Sequence, residues 1–94
     1  MADDRQAVRV RITGRVQGVN FRGWTRDEAA RLGLDGWVRN EADGSVRALL
    51  AGPRAKLDSM IERLHEGPPS ARVVNVVVEV ADPDDVATGF SILH

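Results

Sequence analysis

Cysteine is missing from this chain of 94 residues, and histidine occurs only as His65 and His94. Without a thiol the chain can form no disulfide, thiolate nucleophile or cysteine-ligated zinc site. Neither histidine belongs to a cluster with metal-ligand spacing, and we predict neither as catalytic. We therefore expect no metal and no cofactor, and the lack of cysteine favours a cytoplasmic location.

Long apolar runs are also missing, because no stretch approaches the roughly 20 consecutive apolar residues of a membrane helix. The opening residues, MADDRQA, carry two aspartates, unlike the basic and then apolar start of a secretory signal. We expect a soluble protein without a membrane partner. The length suits one compact core, so we predict a single domain over residues 1–94, monomeric, with residues 1–6 flexible.

Excess charge of one sign is absent as well, since the formal net charge is −1. Nucleic-acid partners usually require a clearly basic surface, so we expect none. The charges are nevertheless uneven along the chain. Residues 1–50 hold nine arginines against seven acids, whereas residues 51–94 hold four basic residues against seven acids. An anionic ligand would therefore be better received by the first half.

The first half of the chain predicts a strand followed by a helix. Val8, Val10 and Ile12 alternate with polar residues, which is the period of a strand with one buried face. Apolar positions then recur at helical spacing over Phe21–Leu32, with Gly33 suited to end the helix. Glu28 falls on the apolar stripe of this helix and fits it poorly.

The second half predicts a hairpin, a helix and two more strands. Asp43-Gly44 favours a tight turn between strands over 34–40 and 45–51. Pro53 suits the first turn of a helix, whose apolar residues recur at i, i+3, i+4 and i+7. Alternating residues then predict a strand over 74–80, and a short strand is expected around Phe90 and Ile92.

This order of elements predicts an α+β fold, the ferredoxin-like α/β sandwich. Its pattern is βαββαβ plus a short C-terminal strand, with two helices on one face of a mostly antiparallel sheet. RNA-binding domains share the fold and stack bases on aromatic residues of the third strand. Here that strand reads SVRALLA and offers no aromatic residue. The fold alone does not decide the function, which must come from a site.

The segment GRVQGVNFR joins the first strand to the first helix. Glycines at 14 and 18 permit backbone angles that other residues avoid, and consecutive N–H groups at a helix start attract anions. A purely structural turn is the alternative. Arg22 lies in the first helical turn, where the helix dipole disfavours a cation unless an anion is bound. Its own alternative is a surface arginine paired with Asp27 or another acid.

The second segment, GWVRNEADGSVRALLAG, places Asn40 near the end of the second strand, where asparagine usually forms turns. Two spaced patterns run through these segments. Gly-x-Val-Gln-Gly-Val-x-Phe-Arg spans Gly14 to Arg22. Gly-aromatic-Val-basic-Asn, three residues, Gly-x-Val, five residues and Gly span Gly36 to Gly52. Together these patterns resemble the acylphosphatase family, over residues 8–92.

The resemblance implies hydrolysis of a small acyl phosphate to a carboxylate and inorganic phosphate. It also implies that Arg22 binds phosphate and that Asn40 orients water. The loop residues implied to bind phosphate through their amides are Arg15, Val16, Gln17, Gly18, Val19 and Asn20. The leaving carboxylate has a conjugate acid with a pKa of about 4, so no general acid is required.

The chain departs from the family at its C-terminal GFSILH, where similar proteins often end in a basic residue and a tyrosine. This departure bears on the packing of the last strand rather than on the chemistry. Asn20 occupies a variable position, and Glu41 beside Asn40 is a candidate for tuning substrate choice. A non-catalytic module that binds phosphate or carbamoyl phosphate stays open as the alternative function.

Overall fold

The computed structural model describes residues 5–94, which form five strands, two α-helices and one 3-10 turn. The element bounds are β1 Arg5–Arg15, α1 Phe21–Leu32, β2 Asp35–Asn40, β3 Val46–Pro53, α2 Arg54–Glu66, β4 Arg72–Ala81, the 3-10 turn Pro83–Asp85, and β5 Phe90–Leu93. Of the residues expected to be flexible, 1–4 lie outside the described residues. Arg5 and Gln6 instead begin β1, where they pair with Pro53 and Gly52 of β3.

The five strands form one mixed sheet in the order β4-β1-β3-β2-β5. Strand β1 is antiparallel to both neighbours, β2 is antiparallel to β3, and β5 is parallel to β2. Both helices pack against the same sheet face, where Val10, Ile12 and Leu50 join the main hydrophobic core. The predicted ferredoxin-like sandwich is confirmed by this arrangement.

Helix α1 explains why Glu28 interrupts an otherwise apolar stripe. Phe21, Thr25 and Ala29 are buried against the sheet, as the helical spacing predicts. The Glu28 side chain is only 16% exposed, and its Oε1 accepts hydrogen bonds from Arg31 at 2.8 Å and Arg63 at 3.1 Å. Arg63 belongs to α2, so this carboxylate joins the two helices.

The β2–β3 hairpin forms at the predicted turn. The Asp43 side chain accepts hydrogen bonds from the backbone N–H and the hydroxyl of Ser45, and Gly44 has a φ of 94°. Such a φ favours glycine, which has no side chain to clash. Strand β3 starts one residue later than predicted and continues to Pro53, which precedes the first residue of α2.

Strand β4 breaks the simple alternation that its valines predict. The register with β1 shifts between Thr13 and Gly14, so that Val73 packs against the core while Val74 is 74% exposed. Gly14 has a φ of 124°, and a Cβ on it would collide with the carbonyl oxygen of Arg72. A glycine at this position therefore accommodates the bulge where β1 runs into the loop.

Candidate active site

A cavity of about 300 Å³ opens where the loop after β1, the start of α1 and the end of β2 meet. Its walls include five residues that the sequence singled out, namely Val16, Gly18, Asn20, Arg22 and Asn40. Two segments some 20 positions apart in sequence therefore share one site. Strands β1 and β2 lie on either side of β3, which brings the two segments together.

The loop backbone combines positive φ angles with N–H groups that have no partner within residues 5–94. Gly18 has a φ of 75° and Asn20 a φ of 61°, and Asn20 is followed directly by α1. The backbone N–H groups of Gln17, Gly18, Val19 and Asn20 donate no hydrogen bond to another residue in the described part. Consecutive unpaired N–H groups ahead of a helix create a positive electrostatic potential.

Some side chains of the predicted phosphate loop contribute to the fold, whereas others line the cavity. Val16 is buried in the core, and Val19 packs against it. The Gln17 amide donates to the carbonyl oxygens of Glu41 and Ser45, each at 2.8 Å, and so ties the loop to the β2–β3 turn. Arg15 is exposed, and neither it, Gln17 nor Val19 lines the cavity.

Asn20 and Gly23 form a local pair that the sequence did not suggest. The carbonyl oxygen of Asn20 accepts from the Trp24 N–H at 3.0 Å, which begins the helical hydrogen bonding. A Cβ on Gly23 would lie 2.5 Å from the Asn20 side-chain oxygen. A glycine one turn into α1 therefore leaves room for the Asn20 side chain beside the cavity.

Arg22 lies beside the last two residues of the chain. Its Nη1 lies 3.4 Å from the carbonyl oxygen of Leu93 and 3.3 Å from Nδ1 of His94. No acidic residue in the described part forms an ion pair with it, and Asp27 contacts Arg26 instead. The predicted alternative, a pair between Arg22 and Asp27, is therefore absent here. A guanidinium has five N–H donors, so most remain available to a ligand.

Asn40 ends β2 and lies on the cavity wall across from the loop. Its backbone pairs with Val46 in the sheet, as a hairpin requires. The side-chain amide, in contrast, has no hydrogen-bond partner among residues 5–94. The neighbouring Glu41 carboxylate accepts from Arg39 at 2.6 Å and does not line the cavity. The Asn40 amide is therefore available to water or substrate.

Sequence reasoning missed part of the cavity wall, namely Phe21, Gly23, Arg26, Ile92 and His94. Arg26 could have been found, because it lies four residues after Arg22 and so on the same helix face. Ile92 and His94 gave no such signal. They reach the site because β5 pairs in parallel with β2, a long-range contact that local sequence does not report.

Among residues 5–94, the acidic side chains of Asp43 and Asp35 have strong hydrogen-bond and charge contacts, and these contacts stabilise the fold. The Ser45 hydroxyl, followed by the Arg11 guanidinium, holds the pKa of Asp43 far below its ordinary value. The Gly89 N–H and then Arg5 lower the pKa of Asp35.

Residues 5–94 contain no cluster of three or more His, Asp or Glu side chains placed to hold a metal ion. Neither α1 nor α2 is long and apolar enough to cross a membrane.

Comparisons with known proteins identify the family of this chain. The acylphosphatase family model matches residues 8–92. Acylphosphatases from Rhizobium etli and Sinorhizobium medicae are 60% and 58% identical over 92 residues, and each alignment covers 98% of both chains. The crystal structure of the Bacillus subtilis acylphosphatase superposes with a TM-score of 0.91 at 36% identity, covering 95% of this chain and 99% of that one. The chain therefore belongs to the acylphosphatase family and is an acylphosphatase that acts on acyl phosphates.

Proposed function

We propose that acyl phosphate hydrolysis takes place in the cavity between the 15–20 loop and Asn40. One observation carries this assignment: three sets of hydrogen-bond donors without strong partners border the same cavity. They are the loop amides of Gly18 and Asn20, the Arg22 guanidinium and the Asn40 amide. Donors that have no strong protein partner and converge on one concavity can bind an anion together, so their convergence indicates a ligand site.

Arg22 and the loop amides bind the phosphoryl group. Guanidinium offers a planar fork of donors that matches two phosphate oxygens, and the loop amides can serve the remaining oxygen. The side chains of Val16 and Gln17 have other roles, so residues 15–20 contribute through their backbone. In the transition state the equatorial oxygens share negative charge, which these preorganised donors stabilise.

Asn40 orients the attacking water. The water oxygen forms a bond to phosphorus as the bond from phosphorus to the acyl oxygen breaks, and the electron pair of that bond leaves with the carboxylate. One water proton passes to a phosphate oxygen, and the products are a carboxylate and inorganic phosphate. No acidic side chain lines the cavity within residues 5–94, which supports proton transfer to the substrate itself.

The residues at the site also support metal-independent hydrolysis. The substrate's negative charge is met by Arg22 and the loop N–H groups, and a carboxylate leaves without a general acid. We therefore expect chelators to leave the turnover of benzoyl phosphate unchanged. A loss of turnover in EDTA that added Mg²⁺ or Zn²⁺ restores would contradict this expectation.

Titration with inorganic phosphate, followed by amide NMR, tests the assignment of the cavity. We expect the largest shifts at residues 17–20 and at the Arg22 and Asn40 side chains, and competitive inhibition of benzoyl phosphate hydrolysis by phosphate. The 3-10 turn Pro83–Asp85 is the internal control, because none of its residues lines the cavity. Shifts confined to other surfaces, or noncompetitive inhibition, would contradict a shared site.

The alternative of a non-catalytic phosphate or carbamoyl-phosphate module has no specific observation in its favour, since relatives over nearly the full length are acylphosphatases.

We further propose that the protein acts as a monomer in the cytoplasm. Its length, which suits one domain, and the absence of cysteine support this proposal. A light-scattering mass that doubles at working concentration would contradict the monomer.

A further inference from the structure

Arg26 is a second cation on the wall of the active-site cavity. It follows Arg22 by four residues on α1, so the two side chains lie on the same helix face, about 6 Å apart along the axis. Like charges at this spacing destabilise an isolated helix by a few tenths of a kcal/mol. A negatively charged ligand that lies between or beside the two guanidinium groups therefore offsets this repulsion.

Arg26 also makes only weak contacts with other residues of the described part. Within residues 5–94, its one contact to an acid is from Nε to the Asp27 carboxylate at 3.4 Å, between side chains that are 50% and 73% exposed. An exposed pair of this kind contributes little, and the two terminal nitrogens of Arg26 have no hydrogen-bond partner within the same residues. No Asp or Glu side chain of residues 5–94 lines the cavity, so no side-chain carboxylate on its wall pairs with Arg26.

We propose that Arg26 makes this acylphosphatase selective for acyl phosphates whose acyl group carries a second negative charge. The phosphoryl group occupies the loop and Arg22, and a carboxylate or phosphate on the acyl part contacts Arg26 one helical turn away. The inference rests on the proposed function of the cavity and adds the chemical class of its substrate. Arg26 is thus a specificity-determining residue.

The test compares succinyl phosphate, which ends in a carboxylate, with benzoyl phosphate, whose acyl group is neutral. In the parent, we expect a higher kcat/KM for succinyl phosphate. Arg26→Gln should lower the ratio of the two kcat/KM values by about fivefold or more, and Arg26→Glu should lower it further. The matched control is Arg31→Gln, which removes one positive charge from the same helix at a site outside the cavity.

A ratio that is unchanged in Arg26→Gln would overturn the proposal. An equal loss in Arg31→Gln would also overturn it, because that result would assign the preference to net charge. Salt should weaken the preference for succinyl phosphate in the parent and have less effect in Arg26→Gln, since exposed charges are screened.

A binding measurement separates this inference from the assignment of hydrolysis. 4-Phosphonobutyrate and butylphosphonate are stable to hydrolysis and differ by one carboxylate, and calorimetry gives their Kd values. We expect 4-phosphonobutyrate to bind the parent more tightly and Arg26→Gln to remove most of that advantage. If the chain hydrolysed neither acyl phosphate while this difference persisted, the proposed function would fail and the Arg26 contact would stand. Hydrolysis of both acyl phosphates with no such difference would overturn Arg26 alone.

Discussion

The two ends of α1 differ in what their arginines contact. Toward the C-terminal end, Arg31 shares the Glu28 carboxylate with Arg63, and Arg63 also reaches Glu66 at 2.6 Å. At the N-terminal end, Arg22 lies beside a carbonyl and an imidazole. Both ends carry exposed cations, yet one end pairs them with carboxylates, whereas Arg22 at the other end has no carboxylate partner among residues 5–94. The comparison separates charge that serves the fold from charge that is available to a ligand.

Replacing Arg22 should have the largest effect on activity. Arg22→Lys keeps the charge but loses the planar fork, so we expect kcat/KM for benzoyl phosphate to fall on the order of a thousandfold. The urea midpoint should stay close to that of the parent. Arg31→Lys is the matched control at the other end of the helix and should keep parental activity. A parental KM and phosphate affinity in Arg22→Lys would remove Arg22 from the phosphate site.

Asn40 should come next, with an effect on turnover rather than on binding. Asn40→Ala removes the amide that we propose orients water, so kcat should fall about a hundredfold while the Kd of phosphate changes little. Asn40→Asp keeps the shape but places a negative charge beside the ligand, and it should weaken phosphate binding as well. Measuring kcat, phosphate Kd and the urea midpoint for both variants distinguishes these effects.

If Asn40 only shapes the hairpin, Asn40→Ala should instead cost about 1 kcal/mol of stability while the folded protein keeps its kcat. A parental kcat in this variant would therefore assign Asn40 to the fold, together with the backbone pair that it makes with Val46.

Gly18 and Gly44 provide a matched pair for the loop. Their φ values are 75° and 94°, and a Cβ on either glycine meets no atom within 4 Å. Valine at either position should therefore cost a similar amount of stability, about 1–2 kcal/mol, through backbone strain. Gly18→Val should also weaken phosphate binding by about tenfold, because the branched side chain restricts the loop backbone. Equal phosphate affinities in the two variants would mean that Gly18 is a turn residue only.

Glu28 should show the smallest effect, and only on stability. Hydrogen bonds from Arg31 and then Arg63 lower the pKa of this carboxyl below its ordinary value of 4.5. A lowered folded-state pKa means that the stabilisation is complete above about pH 4.5 and is lost as the pH falls through the folded value. Glu28→Gln should therefore cost about 1 kcal/mol at neutral pH and progressively less in acid.

Urea unfolding of the parent and Glu28→Gln from pH 3 to 7 measures this difference. Turnover of benzoyl phosphate at neutral pH should match the parent, because Glu28 lies outside the cavity. A constant difference in the free energy of unfolding across the pH range would show that the carboxylate charge contributes nothing.

Several features of the fold could be predicted because local sequence determines them. The bounds of α1 follow from helical spacing and from Gly33, which has a φ of 72° at the helix end. The hairpin follows from Asp43-Gly44, whose polar and conformational preferences act within the turn itself. The bulge at Gly14 and the exposure of Val74 could not be predicted, because they depend on how β4 meets β1 across some 60 residues of sequence.

The candidate site likewise has some features that local sequence determines and others that depend on the tertiary structure. The amino-acid sequence by itself determined the glycine loop, the position of Arg22 in the first helical turn and the spaced pattern that identifies the family. Tertiary structure alone decided that Asn40 faces that loop, that Gln17 anchors the hairpin and that His94 adjoins Arg22. The physical reason is that backbone preferences act over a few neighbouring residues, whereas these contacts depend on strand order. In particular, β5 pairs with β2 between residues 54 positions apart, such as Gly36 and Phe90.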